Sequence, residues 1–94
     1  MKGYLEKRQP KAIMWGKWKS RYCVLKKDKF KYYDSNESIT HLGVIDFNKV
    51  EASVYLLPDN KNTFKITVNG CTKEFIFRAN NSKDASTWVR TIEE

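Results

Sequence analysis

Apolar and polar residues alternate in short stretches along most of this 94-residue chain, and a period of two predicts strands rather than helices. Residues 64–68 alternate most cleanly, with Phe64, Ile66 and Val68 on one side. Residues 18–25, rich in aromatic and β-branched side chains, predict a second strong strand. Shorter strands are predicted at residues 3–7, 30–33, 43–47, 54–57 and 74–78.

Polar clusters separate these runs. Lys26 to Lys29 and Asp34 to Ser38 read as turns, and Asn69-Gly70 predicts a tight hairpin through its tolerance of positive φ. Whether that hairpin has two or four loop residues, parity puts Lys73, Phe75 and Phe77 on the face of Phe64, Ile66 and Val68, with Lys73 near the rim. Only the C-terminal segment has helical spacing: Ala85, Trp88, Val89 and Ile92 recur at threes and fours, Ser82 is a candidate cap and Asp84 suits the first turn. Seven short strands leave one apolar face uncovered unless the sheet folds on itself. The helix can plug one open end, which makes Trp88 a core residue.

Length and composition narrow the class. Ninety-four residues fit a single domain over 1–94 with one modest core. The apolar content of 40% argues against disorder, and no apolar run approaches the ~20 residues of a membrane-spanning helix. No signal-peptide pattern follows Met1-Lys2, and two cysteines do not make a disulfide framework, so a cytoplasmic setting is expected. The strands begin almost at once and the helix runs to the last residues, as expected of a module within a longer chain.

Charge changes the picture more. Residues 1–31 carry eleven Lys or Arg against Glu6 and Asp28, a net +9, while residues 32–94 carry −2. Such a dipole faces an anionic partner: a lipid headgroup, a nucleic acid or an acidic protein segment. Catalysis is not expected. There is one histidine, no glycine-rich phosphate loop and no nucleophile with a recognisable base, and Cys23, His41 and Cys71 do not supply a metal site. No cofactor is expected either.

The succession of strands, with Gly3-Tyr4-Leu5-Glu6-Lys7, then Lys17 to Leu25, then Phe30-Lys31-Tyr32-Tyr33 and Gly43-Val44-Ile45-Asp46, closed by a helix bearing Trp88, resembles the pleckstrin homology (PH) family. The resemblance spans nearly the whole chain. It implies a mostly β fold with one C-terminal α-helix: a seven-stranded bent antiparallel sandwich, or partly open barrel, capped by that helix. It also implies a non-enzymatic, phosphoinositide-binding, membrane-targeting module of signalling proteins. The headgroup residues it points to are Lys7, Lys19 and Arg21, with Tyr32 by alignment of the third strand. Strand geometry supports the cluster on its own terms, because alternation brings Lys19 and Arg21 to one side about 7 Å apart, while Trp18 and Tyr22 go to the other. Tyr32 reads equally as a core aromatic beside Phe30. Where strongly binding members carry arginine before the fourth-strand glycine, this chain has Leu42. Weaker or broader recognition follows, of a mono- or bis-phosphorylated lipid, with His41 a partial substitute only if turned inward and protonated.

Lys11 and Lys17 flank Ile13, Met14 and Trp15 in the first loop, an arrangement suited to a membrane interface. The alternative folds these apolar residues back over the sheet. Lys11, Lys17, His41 and Lys73 are peripheral candidates for the site, whereas Lys26, Lys27 and Lys29 fall on a turn expected at the far end of the barrel. The expected partner is a phosphoinositide-containing membrane surface, bound peripherally by a monomer. The main rival is a protein-interaction module that binds an acidic or phosphorylated peptide, or a small GTPase. A nucleic-acid partner is not expected, since the second-strand aromatics point away from the cations.

Overall fold

In the computed structural model, which describes residues 1–9 and 16–93, seven strands precede one helix. They are β1 (Lys2–Arg8), β2 (Trp18–Lys26), β3 (Lys29–Tyr33), β4 (Gly43–Asp46), β5 (Ala52–Leu57), β6 (Asn60–Val68) and β7 (Glu74–Arg78), followed by α1 (Ser82–Glu93). The strands form one antiparallel sheet in the order β4-β3-β2-β1-β7-β6-β5. The sheet bends sharply at its middle, where β1 meets β7 through only two pairs, Glu6 opposite Arg78 and Lys7 opposite Phe77. Strands β3 and β7 are not neighbours in the sheet, yet Phe30 and Tyr32 reach Phe77 with ring centres 5.1 and 5.9 Å apart. The two halves therefore pack face to face, as the strand count predicts.

The inward positions supply the core: Leu5, Cys23, Phe30, Ile45, Phe64, Ile66 and Phe77 are all buried. Each large apolar side chain so buried contributes about 1.5–3 kcal/mol. The helix adds Ala85, Trp88 and Val89. Trp88 meets Phe30 edge to face at 5.9 Å. It also lies under β1, where a Cβ on Gly3 would touch its ring at 3.9 Å.

Two local details differ from the sequence reading. The helix cap is Asn81 rather than Ser82: Asn81 Oδ1 accepts the Asp84 N–H at 2.8 Å, and Asn81 C=O accepts the Ala85 N–H at 3.2 Å. Both residue types cap well, and the amide one position earlier has the longer reach. The tight reversal lies between β2 and β3, where Lys27 (φ 50) and Asp28 (φ 64) bridge paired Lys26 and Lys29. Two successive positive φ values match the twist of a two-residue hairpin. At Asn69-Gly70 the turn closes through the Cys71 N–H to Val68 C=O at 3.1 Å, with Gly70 at φ 81, but the last paired residues are Thr67 and Glu74. The Asn69 N–H faces the other neighbour of β6 and is accepted by Glu51 C=O at 2.8 Å, continuing the β5–β6 ladder by one pair.

Candidate anion-binding site

Antiparallel pairing of β1 with β2 sets Lys7 opposite Lys19 and Leu5 opposite Arg21. Leu5 and Lys7 point inward on β1, as do Lys19, Arg21 and Cys23 on β2, so three cations gather at one mouth of the bent sheet. Like charges directly across a strand pair are unfavourable.

Lys7 is the deepest of the three, with only 5% of its surface exposed. Its Nζ stands 5.3 Å from the centre of the Tyr32 ring and 5.9 Å from that of Phe75, within range of cation–π attraction. Among the described residues no carboxylate pairs with it. Burial lowers its pKa below the ordinary lysine value, and the charges of Lys73 and then Arg21 lower it further. Among the described residues, the groups that face this ammonium are the Tyr32 and Phe75 rings.

Arg21 is held in place from two sides: its Nη1 donates to Ser20 C=O at 3.0 Å and to Asp34 Oδ1 at 3.4 Å. Asp34 is itself exposed. Lys19 is exposed at the end of its strand and has no ion pair among the described residues. Tyr32 is a core aromatic. Its ring is buried against Phe75 and Phe77, and one side of it meets the Lys7 ammonium. Gly43 makes room for that ring: a Cβ there would come within 2.6 Å of Tyr32 Cε1 and nearer still to Cζ and the hydroxyl.

The peripheral candidates are spread more widely. Lys73, on the β6–β7 connection, places Nζ 5.0 Å from the centre of the same Phe75 ring that Lys7 approaches. Lys17 is exposed, and its C=O accepts the Gln9 N–H at 2.7 Å across the base of the first loop. Lys11, Ile13, Met14 and Trp15 lie outside the described residues. The His41 ring packs edge to face on Tyr33, 6.4 Å between centres, on the outer side of β3 and away from Tyr32. Leu42 donates its N–H to Tyr32 C=O at 2.8 Å, and its side chain is exposed. Lys26, Lys27 and Lys29 sit at the other end of β2.

Three contributors were not singled out from sequence. Phe75 read only as core, Asp34 only as a turn residue, and Ile39 was not read at all. Ile39 is 96% exposed on the β3–β4 connection, which leaves β3 at the end of the sheet where β1 stops and β2 begins. A lone apolar residue in a polar turn was the available signal.

A larger concavity of about 1240 Å³ lies at the opposite end, lined by apolar residues such as Phe47, Val54 and Ile92 together with Lys27, Asp28, Glu51 and Glu93. Its charges are of both signs. On the outer face of β2, Trp18 is covered by the Arg78 guanidinium at 4.2 Å, and Arg78 Nε donates to Glu6 Oε1 at 2.9 Å. Tyr22 is met edge on by Tyr4 at 5.1 Å.

A family model described as PH domain matches residues 1–94. The chain belongs to the PH-domain family. Among curated relatives, this PH domain is 30% identical over 95 residues to Src kinase-associated phosphoprotein 2 of Takifugu rubripes, covering 97% of the chain but 29% of that protein. Among solved structures it is similar to the C-terminal PH domain of pleckstrin, with a TM-score of 0.83 and 23% identity over 99% of this chain and 91% of the other. The same pleckstrin domain in complex with D-myo-Ins(1,2,3,4,5)P5 gives a TM-score of 0.80, again at 23% identity, over 99% of this chain and 93% of that one. Likeness at this level shows the fold. Among the described residues, no helix of the PH domain is long and apolar enough to cross a membrane.

Proposed function

We propose that this PH domain binds a phosphoinositide headgroup through Lys7, Lys19, Arg21 and Tyr32 and so docks peripherally on a cytoplasmic membrane face, without catalysis. The observation that carries the reading is the Lys7 ammonium, buried between Tyr32 and Phe75 with no carboxylate partner among the described residues. A buried charge without a partner is costly, and a phosphate supplies the missing counter-charge. Arg21 offers two parallel N–H donors to one phosphate, while Lys7 and Lys19 act as point charges on its neighbours. The inositol pentakisphosphate complex of the similar pleckstrin domain supports this chemistry. Leu42 adds no charge, which favours mono- or bis-phosphorylated headgroups over tris-phosphorylated ones. Ile39, at the same end of the sheet, would meet the lipid surface beside the first loop.

A titration of soluble inositol phosphates followed by amide shifts tests this. Changes centred on Lys7, Lys19, Arg21 and Tyr32 support it, and shifts that avoid these four residues contradict it.

The second reading is binding of an acidic or phosphorylated peptide at the same cluster. It is favoured by the match to proteins named as Src kinase-associated phosphoproteins. A phosphopeptide that competes with inositol phosphates and binds more tightly would select it. Nucleic acid fits poorly, because Trp18 and Tyr22 already have partners on the outer face.

A further inference from the structure

Alternation along β1, β2, β3 and β4 sends a second set of side chains to the outer side of that half of the sheet, away from the core and from Lys7. Strand pairing aligns them in two rows: Tyr4, Tyr22 and Tyr33 form one, and Lys2, Val24, Lys31 and Val44 form the other. Leu42, two residues before Val44, falls on the same side. Tyr4, Leu42 and Val44 are 50%, 53% and 43% exposed, and the helix lies elsewhere, against β5 and β6. We propose that this outer face is a docking surface for an acidic, aliphatic segment of a partner protein, separate from the headgroup mouth. The inference does not depend on the headgroup-binding reading.

Exposed apolar residues grouped within a polar rim mark protein contact surfaces, and the charge of this rim selects the partner. Lys2, Lys26 and Lys31 have no ion pair among the described residues. The carboxylates on the same side are already engaged: Glu6 Oε1 accepts from Arg78 Nε at 2.9 Å, and Asp46 Oδ1 accepts the Asn48 N–H at 3.0 Å. Lys2 and Lys31 flank Val24 from the strands on either side, so their roots lie two strand spacings, about 10 Å, apart. Two carboxylates of one segment can reach both ammonium groups while an aliphatic side chain between them settles on Val24. The tyrosine row is fixed in advance, since the Tyr4 hydroxyl accepts the Asn36 N–H at 2.9 Å. Its rings meet edge to face, Tyr4 with Tyr22 at 61° and Tyr33 with His41 at 84°. They therefore turn edges and hydroxyls outward rather than a flat series on which successive bases could stack, which favours a peptide over a nucleic acid.

The probe is a synthetic peptide that alternates Glu and Leu, titrated at constant ionic strength and followed by amide shifts, beside a Glu-Ser peptide, a Lys-Leu peptide and a single-stranded oligonucleotide. The proteins are wild type, Lys2→Glu with Lys31→Glu, Leu42→Ser with Val44→Ser, and Lys61→Glu with Lys83→Glu. The last pair makes the same charge change on β6 and the helix. The Glu-Leu peptide should shift the amides of Tyr22, Val24, Lys31 and Val44, and should do so in the presence of excess inositol bisphosphate. Its affinity should fall about tenfold in the Lys2/Lys31 variant and about threefold in the Leu42/Val44 variant, with less than about a twofold change in the control. Leu42 and Val44 are exposed, so their variant carries the test if charge reversal at half-buried Lys31 disturbs the sheet. Equal losses in the Lys2/Lys31 variant and the control reduce the effect to general charge and overturn the surface. Equal binding of the Glu-Ser or the Lys-Leu peptide overturns it as well, and tighter binding of the oligonucleotide at the same amides replaces it with a nucleic-acid face. Peptide shifts that centre on Lys7, Lys19 and Arg21 and vanish with inositol bisphosphate overturn the outer face while leaving the headgroup reading intact.

Discussion

The Lys7 ammonium lies 5.3 Å from the centre of the Tyr32 ring, a cation buried on an aromatic face rather than paired with a carboxylate. Replacing Lys7 by methionine keeps an unbranched stem between Tyr32 and Phe75 and removes the charge. The free domain should gain about 1 kcal/mol, or roughly 4–8 °C in Tm, as exchanges of buried charge for apolar volume do. Affinity for inositol phosphates should fall about tenfold or more with loss of a charged hydrogen bond. The folded-state pKa of Lys7 is lowered from 10.5, so between the two values the unfolded chain binds more protons and wild-type stability rises with pH. The advantage of Lys7→Met is therefore full at neutral pH and shrinks as pH climbs through the folded value toward 10.5. Thermal unfolding of both proteins across that range checks the sign.

Gly43 is set by the neighbouring ring. Gly43→Ala forces the new methyl into Tyr32 and should cost about 1–3 kcal/mol, the range for overpacking. In a Tyr32→Leu background the penalty should shrink, giving a measurable coupling in a double-mutant cycle by denaturant unfolding.

Asp34 competes with any anion for Arg21, to which it lies at 3.4 Å. Asp34→Asn should raise inositol phosphate affinity by about two- to fivefold, and since exposed pairs are worth about 0–1 kcal/mol it should cost little stability. Calorimetric titration against wild type reads the first, and thermal unfolding the second.

The two thiols should behave in opposite ways. Cys23 is fully buried, and burial pushes its pKa up to about 12 even though Arg21 and Lys7 pull it down. Cys71 is exposed. A thiol reagent near neutral pH should label Cys71 at once and Cys23 only as fast as the domain opens. A bound inositol phosphate should slow the second labelling in proportion to the stability it adds.

All seven strands and the helix were legible in the sequence because period-two runs such as Phe64-Lys65-Ile66 and the three- and four-residue spacing of Trp88, Val89 and Ile92 reflect burial directly. Hairpin detail was less so. Asn69-Gly70 carries the stronger turn signal, yet the two-residue reversal formed at Lys27-Asp28, while β6 and β7 are last paired at Thr67 and Glu74. Within the candidate site, strand parity on β2 was enough to put Lys19 and Arg21 on one face, whereas Lys7 came from the family resemblance. Asp34 and Phe75 escaped notice because each meets its cation across strands distant in sequence.

The most direct test is cosedimentation with vesicles that carry a phosphoinositide, compared with vesicles of equal charge that carry phosphatidylserine. Wild-type domain should sediment preferentially with the phosphoinositide vesicles, and the variant with both Lys19→Ala and Arg21→Ala should lose that preference. Undiminished sedimentation of the double variant with the phosphoinositide vesicles would contradict headgroup binding at this site.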